Sequence, residues 1–277
     1  MTISIFTDIP VWVRPLARAL ENAGAYVIVA EEPDAVADTG MIVNRVSSGL
    51  MGKMPQRALA FQDAFTEWVR AGRTIINGAD CYRIGHSKLA QAGLFEQCGV
   101  KTPQTRAAIP GGRALPGIPV LLKPTAGGFG KGIFELGPNE DAPDSLFTST
   151  DGWVEQERII AADGSVHRIE ILGDRILYGA RSPLTPGEYN YCLAHGESTV
   201  ALSRERDLPI DIARPTLRIA NIAGMELGAV EYLLDSGGEP VFIDLNPVSS
   251  LHPRASDLLG EDPIVMTADY LIRRMQS

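Results

Sequence analysis

The stretch 120–136, VLLKPTAGGFGKGIFEL, joins two apolar runs through a loop with glycine at 127, 128, 130 and 132. Glycine lets backbone N–H groups converge without side chains in the way, and such concavities hold phosphate oxygens. Lys123 stands at the mouth of this loop, and Lys88 falls in the first turn of a predicted helix. Two ammonium groups could place point charges on the phosphates of one nucleotide. Lys131, inside the loop, is a third candidate or a solvated tip residue. Taken alone, the loop reads as an ordinary flexible β-hairpin, and either lysine as a surface charge.

The carboxylates near the C-terminus say more. In GAVEYLLDSGGEPVFIDLNP, Glu231 lies in one strand of a predicted hairpin, and Asp244 and Asn246 lie in the other. Strand periodicity of two puts Asp244 and Asn246 on one face. Their neighbours Val241, Phe242, Ile243 and Leu245 are apolar, so these polar groups would be costly to bury without a partner. Oxygen ligands of this kind suit Mg²⁺, which takes a few carboxylates and completes its shell with phosphate and water. VEQERII carries Glu155, Gln156 and Glu157 and reads either as a strand whose end could pair with adenine or as an exposed acidic edge. Asp163, a few residues on, could accept ribose hydroxyls. Arg168 and Arg181 sit on a predicted hairpin, where arginine is a bidentate partner for phosphate or carboxylate or simply an exposed charge. No Ser-His-Asp or Cys-His arrangement is evident.

The elements that must position these groups change character along the chain. ISIFTD and AYVIVAEE read as buried strands around the helix VRPLARALENAG, which Gly24 ends. GMIVNRV and RTIING are further strands flanking the helix PQRALAFQDAFTEWVRAG, with Pro at its start and Gly72 at its end. Such alternation predicts a parallel sheet covered by helices, and it stops near residue 80. SKLAQAGLFEQCGV is then a helix opened by Ser87, followed by extended KTPQTRAAI and a turn-rich joint. VLLKP, GIFELG, GWVEQERII and the pair SVHRIEILGD/RILYGARS read as strands, the last two antiparallel about a Gly-Asp turn. DIARPTLRIANIAGM and PIVMTADYLIRRMQ are helices on either side of the acidic hairpin.

Composition narrows the setting. The 277 residues are 45% hydrophobic, with a net charge of −9 and no apolar run near the roughly 20 residues of a membrane span. The charge argues against general nucleic-acid binding. Cys81, Cys98 and Cys192 show no C-x-x-C spacing, and the N-terminus lacks a secretory pattern, so a cytoplasmic setting without membrane attachment is expected. His86, His167, His195 and His252 are scattered and give no zinc pattern.

Four segments in this order resemble the ATP-grasp superfamily, particularly its RimK-type and D-alanine–D-alanine-ligase-like carboxylate–amine ligases. SKLAQAGLFEQCGVKTPQT is similar to the lysine-bearing helix with its G-x-x-x-P-x-T, and VLLKPTAGGFGKGI to the Lys-Pro strand and glycine loop. VEQERIIAADGSVHRIEILGDRILYGARS resembles the adenine-hinge strand and Arg-bearing hairpin, and GAVEYLLDSGGEPVFIDLNP the metal-binding hairpin. The resemblance implies an α/β fold: a small parallel-sheet N-terminal domain over 1–80, then two α+β lobes gripping ATP. The first lobe, 81–153, carries the glycine-rich loop; the second, 154–277, carries the metal site.

It further implies that Lys88 and Lys123 hold ATP phosphates, with Lys131 beside them, under Gly127, Gly128 and Gly130. Gln156, Glu157, Arg158 and Ile159 would line adenine, and Asp163 would hold the ribose. Glu231, Asp244 and Asn246 would bind two Mg²⁺ ions, for which Mn²⁺ may substitute. Arg168 and Arg181 would stabilise the transferring phosphoryl group and an acyl phosphate. The implied activity is ATP-dependent ligation of a carboxylate to an amine or thiol on a small amino-acid-like or peptide substrate, with a homodimer as the expected assembly. A kinase of the same fold, or a non-catalytic nucleotide-binding regulator, is the alternative. One departure is NPVSSLHPR, where many members carry Pro-Gly after the metal asparagine. Ser249 and Ser250 would then meet the substrate carboxylate with hydroxyls, or His252 and Arg254 would face a different substrate or cap the last helix. The polar stretch GEYNYCLAHG would lie over the substrate pocket, with Cys192 a packed thiol.

Overall fold

The computed structural model describes residues 1–127, 130–148, 152–184, 199–249 and 251–276. The first sheet contains β1 (Thr2–Phe6), β2 (Tyr26–Ala30), β3 (Met41–Asn44) and β4 (Thr74–Ile76). All its pairings are parallel, in the order β2-β1-β3-β4. Helices α1 (Pro10–Asn22), α2 (Leu50–Lys53) and α3 (Pro55–Arg70) make the crossovers. α1 buries Val13, Leu16, Ala17 and Leu20, spaced as one face of a helix requires. Sequence reading took β2 for a buried strand. Its place at the sheet edge leaves Tyr26 67% and Val29 38% exposed.

Two further helices, α4 (Ala79–Gly85) and α5 (Lys88–Gln97), lead to a second sheet. It comprises β5 (Thr105–Ala107), β6 (Val120–Pro124), β7 (Phe134–Leu136) and β8 (Trp153–Glu157), antiparallel in the order β5-β8-β6-β7. β8 belongs to this sheet, although sequence reading begins its last segment at residue 154.

The third sheet has the order β11-β10-β9-β12-β13 and is antiparallel throughout. Its strands are β9 (Ser165–Leu172), β10 (Arg175–Pro183), β11 (Ala201–Ser203), β12 (Leu227–Leu234) and β13 (Pro240–Asn246). Helix α6 (Ile210–Ala223) ends at Gly224, whose φ of 62° suits glycine. α7 (Ala255–Leu259) and α8 (Pro263–Gln276) close the chain. Among the described residues, no helix is long and apolar enough to cross a membrane.

The cores divide differently from the sheets. Ile3, Ile5, Leu16 and Leu20 from the first sheet and α1 share one buried cluster with Leu172, Tyr178 and Leu227 of the third sheet and Leu271 of α8. The second sheet has a small cluster of its own, built on Leu115, Val120, Leu122, Leu136 and Ala142. Asn77, just after β4, stitches the first and third sheets. Its side chain accepts from the N–H groups of Glu226 and Leu227 at 2.8 and 3.1 Å and donates to the Pro247 carbonyl at 2.9 Å.

Candidate active site

A row of charged groups crosses three strands of the third sheet. In register, Glu231 of β12 faces Arg168 of β9 on one side and Asp244 of β13 on the other. An irregularity in β13 makes that row. Glu231 pairs with Asp244 but the next residue, Tyr232, pairs with Phe242, so Ile243 is an extra residue. Such a bulge re-aims side chains. Phe242 and Tyr232 pack in the core beneath α6, while Asp244 joins Glu231 on the opposite face.

The carboxylates are held by the protein's own cations. Lys88 Nζ lies 2.5 Å from Asp244 Oδ1, and Arg168 donates to Glu231 Oε1. Asn246 Nδ2 donates to the same Glu231 oxygen at 3.2 Å. Burial pushes the Glu231 carboxyl up, against the pull of the Arg168 guanidinium.

The lysines arrive from other elements. Ser87 caps α5 by accepting from the Ala90 N–H at 3.2 Å, and the Lys88 N–H donates to the Thr125 carbonyl at 2.9 Å, which fixes the helix start against the end of β6. Lys123, on β6, donates to Gln156 Oε1 of β8 at 2.6 Å. Its ammonium is drawn down to about 8, by burial first and then by the charge of Lys88. Past Lys123, Gly130 and Gly132 adopt φ of 64° and 71°, a region that favours glycine. Gly127 lies just before them, and Lys131 is exposed. Gly128 is outside the described residues.

The segment after Gln156 is anchored through its backbone. Glu157 N–H donates to the Gln104 carbonyl at 2.8 Å and Arg158 N–H to the Pro119 carbonyl at 3.0 Å. Arg158 pairs with Glu135 at 3.3 Å, and Ile159 packs against Val166, Leu233 and Ile243. Glu155 faces the other way: it is fully buried and pairs with Arg113 at 3.3 Å.

Arg168 and Arg181 are not brought together. A second bulge, at Leu177, shifts the β9–β10 register so that Arg181 faces His167 and Ala180 faces Arg168. Arg181 is therefore on the opposite face, 52% exposed, 3.1 Å from Asp163. Asp163 also takes His167 Nε2 at 2.9 Å, and that ring stacks on Tyr232 with centroids 4.7 Å apart. Asp163 and Arg181 thus form a separate internal network.

Ser249 does join the charged row, its Oγ 3.2 Å from Arg168 Nη2. His252 Nδ1 accepts from the Arg254 N–H at 3.2 Å, ahead of the short α7 rather than the last helix, and Arg254 reaches the Val200 carbonyl. Ser250 and the 187–196 stretch with Cys192 and His195 lie outside the described residues. Cys81 and Cys98 are buried, and burial pushes both thiols up.

Two charged residues that sequence reading passed over share this face. Glu170 accepts from Arg168 Nε at 2.6 Å, and Arg45 Nη2 donates to the Ser249 carbonyl at 2.6 Å. Period-two spacing from Arg168 signals Glu170. Arg45 carries the signal of a charge directly after a parallel strand, where such sheets bind ligands.

The donor set fits Mg²⁺. Two carboxylates paired in register across β12 and β13, with the Asn246 amide on one and Lys88 on the other, match a cation that takes few protein oxygens and shares phosphate.

The fold is that of the ATP-grasp ligases. D-cycloserine synthetase DcsG superposes over 99% of this chain and 100% of its own, with a TM-score of 0.71 and 17% identity. A RimK domain ATP-grasp protein of Sphaerobacter thermophilus DSM 20745 gives 0.64 at 19% identity, over 98% and 99% of the two chains. D-alanine–D-alanine ligase of Bacillus anthracis gives 0.66 at 14% identity, over 98% and 96%. Identities this low establish the fold alone. In sequence, the chain is similar to probable alpha-L-glutamate ligase 2 of Hahella chejuensis (strain KCTC 2396), 25% identical over 161 residues. That match takes in 57% of this chain and 51% of the relative, so the chain spans about half the length of the curated relative it matches. No family profile matches the chain. The fold implied by the four segments is thereby borne out.

Proposed function

We propose that the protein is an ATP-dependent carboxylate–amine ligase that acts through an acyl phosphate on a small amino-acid-like or peptide substrate. The observation that carries this reading is the convergence of Lys88, Lys123, Arg168, Glu231, Asp244 and Asn246 from five separate elements. The ligase names of the similar proteins support it.

Lys88 and Lys123 bind ATP phosphates, and the backbone after Gln156 receives adenine. Glu231, Asp244 and Asn246 hold Mg²⁺, which neutralises phosphate charge when bound. A substrate carboxylate oxygen attacks the γ-phosphorus, forming a P–O bond while the bond to ADP breaks. Arg168 and the lysines spread the developing charge. The amine then attacks the acyl carbon, the C–N bond forms, and the C–O bond to phosphorus breaks, releasing inorganic phosphate and a proton. The glycine loop excludes water from the acyl phosphate.

Product analysis tests the reading. ATP with the right carboxylate and amine should give ADP, free phosphate and an amide, and hydroxylamine in place of the amine should give a hydroxamate. A stable phosphorylated product without free phosphate or hydroxamate would make the protein a kinase.

A further inference from the structure

Arg113 and Glu155 form a buried charge pair on the second sheet, with side-chain exposures of 5% and 0%. Arg113 Nε faces Glu155 Oε2 at 3.3 Å. Its Nη1 donates to the carbonyls of Gly137 and Glu140, and its Nη2 to those of Leu115 and Ile118 at 3.0 and 2.9 Å. Glu155 in turn accepts from the N–H groups of Ala114 and Leu115, both at 2.8 Å. Every guanidinium N–H therefore has an acceptor, a geometry that an ammonium cannot reproduce. A buried pair of this kind is often no more stabilising than apolar side chains of similar volume, so stability alone does not account for it.

What the pair grips lies at one place in the fold. Residues 113–119 lead into β6 and residues 137–140 lead out of β7, so Arg113 closes the open end of the hairpin whose other end is the glycine loop. Glu155 fastens that end to β8. Along β8 the side chains alternate between faces. Glu155 pairs in register with Leu122 and Val154 with Lys123, so Lys123 and Gln156 share the opposite face and meet there. The same stretch reaches past Gln156, because the Pro119 carbonyl accepts from the Arg158 N–H at 3.0 Å. One buried pair thus holds the hairpin that carries Lys123 and the glycine loop against the backbone that follows Gln156.

We propose that Arg113 and Glu155 are a positioning pair for the nucleotide: without touching it, they preset the spacing between its phosphate contacts and its adenine contacts. The proposal rests on the nucleotide part of the ligase reading. It assigns the pair an effect felt only by a ligand that spans both sets of contacts.

The test is calorimetry of the protein with ADP, adenosine and pyrophosphate, all in EDTA. The product of the two fragment dissociation constants, divided by that of ADP, is an effective molarity. A short flexible tether gives values on the order of millimolar, and preset geometry gives far higher ones. The wild-type protein should lie well above the millimolar range, and a fragment too weak to measure sets a lower bound on the value. A millimolar result overturns the proposal, and this arm needs no variant to fold. Arg113→Lys keeps the charge and loses the fork; Glu155→Gln keeps the shape and loses the charge. In each variant that urea unfolding shows to be folded, ADP should weaken by about tenfold or more while adenosine and pyrophosphate stay within about twofold. Unchanged ADP affinity overturns the proposal, as does weakening of the fragments that leaves the effective molarity unchanged, which would make the pair structural. A wild-type protein that binds no ADP removes the nucleotide reading and the proposal with it. ADP binding with the wild-type effective molarity retained in the variants removes the proposal alone.

Discussion

Lys123 carries an ammonium drawn down to about 8, so a large fraction is neutral just above that pH. Phosphate oxygens favour the charged form, so nucleotide binding should pull a proton onto it. ADP titrations with EDTA at about pH 8.5, in buffers of different ionisation enthalpy, should show net proton uptake, and Lys123→Ala should abolish it. The same substitution should weaken ADP about 10- to 100-fold, and unchanged affinity would remove Lys123 from the phosphate site. Asp244→Asn keeps the shape of the side chain and removes its charge. Turnover at saturating Mg²⁺ should fall by about two orders of magnitude, and near-normal turnover would make the acidic row structural. Lys123 and Asp244 were legible in the sequence because each stands beside an unusual local feature, a glycine-dense loop in one case and D-x-N within an apolar strand in the other. Arg45 and Glu170 were passed over, because a charge directly after a strand and a carboxylate two residues from an arginine are common patterns that stand out only once the sheets are assembled.

Two single-residue insertions decide which side chains the third sheet presents together. Without the bulge at Leu177, the tight Gly173-Asp174 turn would place Arg181 opposite Val166, on the face of Arg168. With it, the two arginines point apart. Arg168→Lys, which keeps the charge but loses the planar fork, should lower turnover by about two orders of magnitude. Arg181→Ala loses an exposed ion pair and should change turnover by less than about threefold. The opposite ranking in steady-state assays would return Arg181 to the site. Strand and helix identities followed from periodicity and capping signals: Ser87 opens α5, as read from the sequence. The bulges did not, because a strand with one residue too many keeps the same apolar composition and shows its extra residue only against a partner. The short helices α2, α4 and α7 likewise lack the length for a periodic pattern to emerge.

Across the whole molecule, the first and third sheets share one core, and Asn77 is their hydrogen-bonded joint. Asn77→Ala leaves the Glu226 and Leu227 N–H groups and the Pro247 carbonyl without that amide, which should destabilise the protein by about 3 kcal/mol in urea unfolding. A loss under about 1 kcal/mol would show that water replaces it. The second sheet rests on its own five-residue cluster. Cooperative units of folding therefore should not follow chain order: segments near both ends should unfold as one body, and the stretch between them should open on its own at lower free energy. Hydrogen exchange should report this as faster amide turnover in β5–β8 than in β1, β9 and β12, with the gap narrowing when nucleotide binds. A single exchange regime across all three sheets would contradict it. The same division gives the chain a way to admit and release nucleotide by loosening one small foldon, while the rest stays closed around the joint at Asn77.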